Sequence, residues 1–432
     1  MPIRSTATAP QARGLLLLGL LVLLAWAGAA HATDAAPKKL KVFILAGQSN
    51  MEGYAQIKTF DSIGDDPATA PLLKTMRGAD GKPTVCGHTW ISYLTGLGDK
   101  DFVLDGPMTA GYGSMWGVDP TKPGDKIGPE FTFGLTMDAA IKEPVLVIKT
   151  AWGGKSLNTE FRPPSAGPYK LPQATKDLWA QYPNGAHNIP KEEERKAWWD
   201  EKKKTTGVNY RMMIEHVKKV LADPKRVCPE YDAKEGYEIA GFVWFQGWND
   251  LVDGLTYPDR HDKPEGYALY TDLLSTFIRD VRKDLKAPGM PFVIGVLGVE
   301  GLHTQRPAII TFRKAMAAPA ALPEFHGSVV AVETAPFWAE ELAAIDEKRQ
   351  KVGDMRYHLD IKHKDYPNAD GHMTTEQKDE YIKKYEADLI SPADAATWNR
   401  GASHAGYHYY GCAKTFAQMG KAFAEALLPF QK

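Results

Sequence analysis

Four short stretches carry residue types suited to acyl-transfer chemistry. Gly47-Gln48-Ser49-Asn50 puts a serine hydroxyl directly after an apolar run, Trp152-Gly153-Gly154-Lys155-Ser156 offers backbone N–H groups unobstructed by side chains, and Gln246-Gly247-Trp248-Asn249-Asp250 supplies a side-chain amide. His408 stands in a polar, aromatic loop just before the last amphipathic stretch. A serine that attacks an acyl carbon needs a base to take its proton and donors to hold the charge that builds on the carbonyl oxygen. Ser49 is the candidate nucleophile and His408 the candidate base, with His404 as its main competitor. The Ser49 N–H, the N–H of Gly153 or Gly154 and the Asn249 amide are candidate oxyanion donors; removing one such donor typically costs about 3–4 kcal/mol of barrier. Gln48 and Gln246 are candidates for contacting substrate.

Each stretch has a plainer alternative. A Gly-Gln-Ser-Asn turn is a common way to cap a helix after a strand; the two later turns, ending later strands, shift the balance to chemistry. Gly154-Lys155-Ser156 looks like the end of a phosphate-binding loop, but that motif requires glycine five residues before its second glycine. Lys149 occupies that place, so nucleotide binding is rejected. The stretch 358–372 gathers His358, His363, Asp365, Asp370 and His372, yet a calcium loop would need an acid where Tyr366 stands and glutamate where Gln377 stands. It reads as a solvated loop, and neither a metal nor an organic cofactor is expected.

The elements that must position these residues are apolar runs at wide spacing: 40–47, 144–153, 239–247, 290–298 and 327–334. Continuous rather than alternating apolar character is what strands covered on both faces require. Helical patterns at 131–142, 209–223, 267–285 and 412–428 lie between or after them; in the third, Tyr270, Leu273, Leu274, Phe277 and Val281 form one stripe. Alternation of this kind predicts an α/β fold with a doubly wound parallel sheet, in which ligands bind outside the carboxyl ends of the strands. All three polar turns are therefore expected at one edge.

The 432 residues carry a formal net charge of −1 and are 44% hydrophobic, which fits a globular chain with a sizeable core. Basic residues are not clustered: Lys191 to Lys204 mixes both signs and reads as a solvated helix face, so no nucleic-acid partner is expected. Arg4 and Arg13, the apolar run Leu15 to Trp26 and Ala30-His31-Ala32 form a secretory signal peptide over 1–32, predicting export with a mature start near Thr33 and no membrane span thereafter. Cys86, Cys228 and Cys412 exclude a dense disulfide framework, leaving at most one bridge, such as Cys86 to Cys228. The domain is expected over 38–430, with insertions at about 55–126, 156–208 and 335–407; the last has helical patterns that suit a small subdomain. Trp90, Trp116, Trp179, Trp198 and Trp199 in the insertions suit either sugar stacking or core packing.

Taken together, the blocks Gly47 to Met51, Ala151 to Leu157, Trp244 to Asp250 and Tyr407 to Gly411 resemble the SGNH hydrolases, in particular the sialate O-acetylesterase-like and family-six carbohydrate esterase branch. The resemblance runs from about Lys41 to Leu428, with the insertions unmatched. It implies a three-layer α/β/α, flavodoxin-like sheet and an acetylated carbohydrate, polysaccharide or sialic acid, as substrate. It also implies Ser49 as nucleophile and first oxyanion donor, Gly153 or Gly154 as the second, Asn249 as the third and His408 as base. The chain departs from the family where aspartate commonly precedes the histidine by three: Ala405 stands there, and Gly401 precedes His404 likewise. Trp248 also replaces the glutamate that often follows Gln-Gly in the branch. The orienting acid is thus left open between Asp250, Glu130 and no acid at all. An idle carbohydrate-binding protein on the same fold and an esterase or lipase for a non-sugar ester are the competing functions.

Overall fold

Uninterrupted β-branched and aromatic runs become strands when both their faces can be covered, and that coverage organises the chain. The computed structural model describes residues 39–97, 100–186, 189–261 and 263–431; the expected signal peptide lies outside them. In chain order, β1 (Leu40–Gly47), α1 (Ser49–Glu52), β2 (Ala55–Gln56) and α2 (Ala70–Met76) precede a hairpin of β3 (Thr89–Leu97) and β4 (Lys100–Pro107). Then come β5 (Lys126–Ile127), α3 (Glu130–Ala140), β6 (Val145–Ala151), α4 (Gln173–Gln181), α5 (Glu192–Thr205) and α6 (Val208–Ala222). The second half holds β7 (Tyr237–Phe245), α7 (Trp248–Val252), α8 (Ala268–Asp284), β8 (Phe292–Val296), α9 (Pro307–Ala317) and β9 (Val329–Glu333). It closes with α10 (Glu340–Asp360), α11 (Thr375–Leu389), α12 (Pro392–Gly401) and α13 (Ala413–Leu427).

Seven strands form one sheet in the order β4-β3-β6-β1-β7-β8-β9. All neighbours are parallel except β3 and β4, which pair antiparallel at one edge. Side chains alternate across the sheet with period two, and β7 shows both covers. Phe242 and Trp244 meet Phe277 of α8, which also touches Tyr210 of α6. On the opposite face Phe245 meets Phe423 of α13, and Phe43 of β1 meets Phe133 of α3. Helices on both faces make the three layers that the sequence predicts.

The β3–β4 hairpin is the main addition to that expectation. Thr89, Ser92, Thr95 and Gly96 interrupt the apolar run of β3, which hid it inside the expected insertion 55–126. These polar residues are tolerated because they bond inward: Thr89 to Asp138, Ser92 to His216 and Thr95 to Glu52. The mixed-charge run is α5, with Glu192, Glu193 and Glu194 in its first turn, Lys202, Lys203 and Lys204 in its last, and no buried residue, as a solvated helix aligned with its own dipole should be. The insertion after β9 is helical, with α10 packed against α11 and α12. Among the described residues, no helix is long and apolar enough to cross a membrane.

Candidate active site

Strand order fixes where the polar turns meet. From β1 the chain first builds β3, β4 and β6 on one side and then crosses to β7, β8 and β9 on the other, so the strand order switches at β1, and a crevice is expected at its carboxyl end. Gly47 pairs with Ala151 on one side and Phe245 on the other, which brings the ends of β1, β6 and β7 level. Glycine is required at 47 by this crowding, since a Cβ there would lie 2.1 Å from the Phe245 carbonyl oxygen. The chain turns at once into α1, whose first residue is Ser49, 5% exposed.

Gln48 sets the geometry around it. Its Oε1 accepts hydrogen bonds from Gln246 Nε2 at 3.0 Å, Gly247 N at 3.1 Å and Asn249 N at 3.2 Å, so one amide oxygen gathers the β7 turn onto the β1 turn. Its Nε2 donates to Asn249 Oδ1 at 2.7 Å. That bond fixes which way the Asn249 amide faces and leaves Nδ2 without a hydrogen-bond partner among the described residues, a donor held ready. Gln48 and Gln246 are each 1% exposed and their amides are committed to the protein, which corrects the expectation that they contact substrate: they shape the site from behind. Gly153 comes close as well, since a Cβ built on it would lie 4.0 Å from Ser49 Cβ. Gly154, next along, adopts φ +72° with open space around it.

Neither candidate acid faces the histidine. Asp250 is fully buried and accepts from Leu157 N, Asn158 N, Asn158 Nδ2, Gln246 Nε2 and Tyr257 OH, and burial pushes its carboxyl up to about 6. It ties the segment after β6 to α7. Glu130 accepts from Gly128 N and from Lys149 Nζ, the latter at 2.7 Å. Lys149 also donates to the carbonyls of Glu52 and Tyr112, joining β6 to α1 and α3 beneath the site. Burial pulls the Glu130 carboxyl up and the Lys149 ammonium down, and their contact opposes both shifts.

The partner of His408 is another histidine. His408 Nδ1 lies 3.0 Å from His404 Nδ1, and the His408 ring stacks on Tyr54 at 4.0 Å between centroids. Burial, with a smaller contribution from His404, lowers its imidazole to about 3. The loop is held to α1 by Asn50 Nδ2 donating to the Tyr407 carbonyl at 3.2 Å. Directly after His408, Tyr409, Tyr410 and Gly411 all have positive φ, a left-handed run costly for the two tyrosines. Tyr409 OH offsets that cost by accepting from Gly298 N at 2.7 Å and bonding Thr334 Oγ1 at 3.1 Å. Ser49 Oγ makes no hydrogen bond to either imidazole among the described residues. Its one contact, Gln48 Nε2 at 3.5 Å, is too long to hold the hydroxyl.

Beside these groups opens a cavity of about 500 Å³, bordered by Glu52, Tyr54, Asp101, Trp116, Trp152, Gly153 and Lys155 among others. Two of its walls touch the site directly, since Tyr54 stacks on His408 and Gly153 approaches Ser49. Glu52 went unnoticed in the sequence: in Ser49-Asn50-Met51-Glu52 it reads as an ordinary acid of a short helix. Trp116 is 69% exposed at the cavity mouth, a placement suited to stacking on a sugar. Trp198 borders a smaller cavity with Asn249, and Trp179 and Trp199 pack against it, whereas Trp90 bonds Glu230 away from the site.

Residues 193–384 match the family model described as carbohydrate esterase, sialic acid-specific acetylesterase. That stretch is under half of the chain; it includes Asn249 and excludes Ser49 and His408. It bears out the resemblance read from the four motif blocks and supports carbohydrate esterase function. No curated protein sequence matches the chain. Among solved structures, a protein from Arabidopsis thaliana is 18% identical with TM-score 0.34, covering 69% of this chain and 86% of that one. The carbohydrate acetylesterase XAC1771 from Xanthomonas citri is 14% identical with TM-score 0.34, covering 68% and 49%. NanS is 13% identical with TM-score 0.35, covering 69% and 78%. At these identities and scores all three are likenesses and nothing more.

Proposed function

We propose, on the premise that this is a sialate O-acetylesterase-like carbohydrate esterase of the SGNH type, that it is an exported serine esterase that removes O-acetyl groups from a carbohydrate. The observation that carries the proposal is the Gln48 amide, which neighbours Ser49 in the chain, bonds Asn249 Oδ1 at 2.7 Å and leaves Asn249 Nδ2 without a hydrogen-bond partner among the described residues, while Gly153 approaches Ser49 from the end of β6. Preorganised donors of this kind do not have to reorient as charge develops, which is how they lower a barrier.

In the proposed reaction Ser49 Oγ attacks the acetyl carbonyl carbon while His408 takes its proton. With the hydrogen of the His408–His404 contact on His408 Nδ1, the Nε2 lone pair is the base, and His404 Nδ1 does the orienting that an aspartate does elsewhere. The tetrahedral oxyanion is held by Ser49 N–H, Gly153 or Gly154 N–H and Asn249 Nδ2. Collapse expels the sugar alkoxide, which takes the proton from His408. Water then attacks the acetyl carbon of the acetyl-enzyme while His408 takes its proton, and collapse breaks the bond to Ser49 Oγ, which recovers the proton from His408 as acetate leaves. The hydroxyl of Ser49, uncommitted in the free protein, reaches the imidazole when substrate excludes water, a tightening expected of catalytic hydrogen bonds.

A serine-reactive phosphonate tests the nucleophile: labelling of the wild type that disappears in Ser49→Ala, with acetate release from acetylated sugars lost in parallel, is expected. An intact protein that neither labels nor hydrolyses an activated acetate ester would be the idle binder instead. Comparing acetyl with long-chain acyl esters separates the lipase alternative. His404→Ala and His408→Ala side by side identify the base, with the greater loss expected at His408. Export is checked by the N-terminus of the secreted protein, expected near Thr33.

A further inference from the structure

Glu52 is a buried carboxyl that the esterase reaction does not use, and its surroundings leave half of it free. It ends α1, the short helix that Ser49 begins, and is 4% exposed. Thr95 of β3 donates to its Oε1 at 3.0 Å. Oε2 has no hydrogen-bond partner among the described residues and lies on the cavity side, where a Cβ built on Gly153 would be 3.2 Å away. A carboxylate oxygen that no protein group bonds and that opens onto a polar cavity is an acceptor served by solvent until a ligand displaces it. The cavity, about 500 Å³ and flanked by Trp116 and Trp152, is large enough for one sugar unit with its polar groups facing inward.

We propose that Glu52 is a specificity-determining residue: its Oε2 accepts a hydrogen bond from a hydroxyl or N–H on the sugar whose ester is presented to Ser49. This rests on the acetylesterase reading and adds to it a substrate class, sugar esters with a free donor beside the acetylated position, as against fully acetylated sugars or simple alkyl and aryl acetates. The gain comes from pairing rather than from attraction alone. A substrate lacking the donor leaves a buried oxygen unsatisfied, and sites built that way reject such substrates strongly.

The protonation state of Glu52 supplies an independent signature. Burial raises its carboxyl to about 7, with the Thr95 hydrogen bond and the charge of Lys149 pulling the other way. The other groups around it are Tyr93 on β3, Tyr54 after α1, and Asp101 and Lys155 across the cavity. The charged form is the stronger acceptor, so preference for the hydroxylated ester should grow as pH rises through about 7.

The experiment compares kcat/KM for 4-nitrophenyl acetate, for the best mono-acetylated member of a panel of xylosides, galacturonides and sialic acids, and for its per-acetylated counterpart. In wild type the mono-acetylated sugar is preferred, and the preference rises severalfold from pH 6 to pH 8. In Glu52→Gln that ratio falls about tenfold, the size expected for a lost charged hydrogen bond, chiefly through KM, and becomes flat with pH. Glu52→Gln is nearly isosteric, and its thermal melt and 4-nitrophenyl acetate rate report any general damage. A ratio unchanged by the substitution, or equal losses on all three esters, overturns the role of Glu52 while leaving the esterase standing. Wild type that hydrolyses 4-nitrophenyl acetate but no sugar in the panel overturns the carbohydrate reading and this inference with it. No hydrolysis of any ester overturns the serine esterase itself.

Discussion

In the proposed reaction Asn249 and Gln48 divide the work of one oxyanion donor: the first would touch the reacting oxygen, the second would hold it in place. Asn249→Ala is expected to lower kcat ~10²–10³-fold with little change in KM, as loss of a donor used only in the transition state should. Gln48→Ala removes no group from the crevice, yet it frees the Asn249 amide and strips the acceptor from Gly247 N and Asn249 N. It should therefore lose activity comparably and also lose about 1–3 kcal/mol of stability, the cost of buried donors left unpaired. Steady-state kinetics with a urea melt checks both; activity in Gln48→Ala near wild type would mean that Asn249 holds its orientation unaided. In the sequence Ser49, Asn249 and His408 stand out as candidates because each follows a recognisable element and has a distinctive side chain; their roles belong to the proposed reaction. The sequence misplaced Gln48 and Gln246, since a polar residue beside a nucleophile looks like a substrate contact until its partners are known.

His408 makes a pH argument with a definite sign. As a base it acts when neutral, and burial lowers its pKa to about 3, so the neutral form persists far below the ordinary histidine value. The kcat/KM profile for 4-nitrophenyl acetate, which reports groups of the free protein, should therefore lack the tenfold loss per pH unit below about 6.5 that an ordinary histidine base gives. A tenfold loss per unit beginning near 6.5 would mark an ordinary solvated imidazole as the base and contradict the buried His408–His404 pair.

Among the elements, β6 bears the most on the site through one residue. Lys149 reaches from mid-strand to Glu130, to the last carbonyl of α1 and to the Tyr112 carbonyl, all fully out of water. Lys149→Met should destabilise by about 3–5 kcal/mol, because Glu130 is left as an unpaired buried charge. Adding Glu130→Gln should recover only part, since the carbonyls of Glu52 and Tyr112 still lack a donor. Denaturant melts of the single and double variants check this; full recovery would show that the backbone contacts contribute nothing. In the sequence Lys149 only argued against a phosphate loop. A lysine inside an apolar run gives no hint of its partners, which here arrive from α1, α3 and the loop before β5. For the same reason β3 escaped notice: Thr89, Ser92 and Thr95 look like a loop until Asp138, His216 and Glu52 are seen to receive them.

At the scale of the molecule, the fold was legible because five strands and four helices announced themselves by apolar patterning, and their alternation allows few topologies. Patterning could not reveal where the insertions fold back, because their contacts are polar and distant in sequence. The cysteines join the two problems. All three thiols are free, and Cys86, Cys228 and Cys412 are at most 7% exposed. Burial raises the thiol of Cys228 to about 11 and that of Cys86 further, so the reactive thiolate is scarce at neutral pH as well as shielded. A native sample mixed with a thiol reagent should therefore show almost no fast reaction, and the same sample in denaturant without reductant should titrate three thiols per chain. Labelling in the native state should follow global unfolding, because all three cysteines belong to the same continuous core as the sheet. One thiol rather than three in denaturant would establish a disulfide, and labelling of Cys86 well ahead of the others would show that the segment joining α2 to β3 opens independently of the sheet.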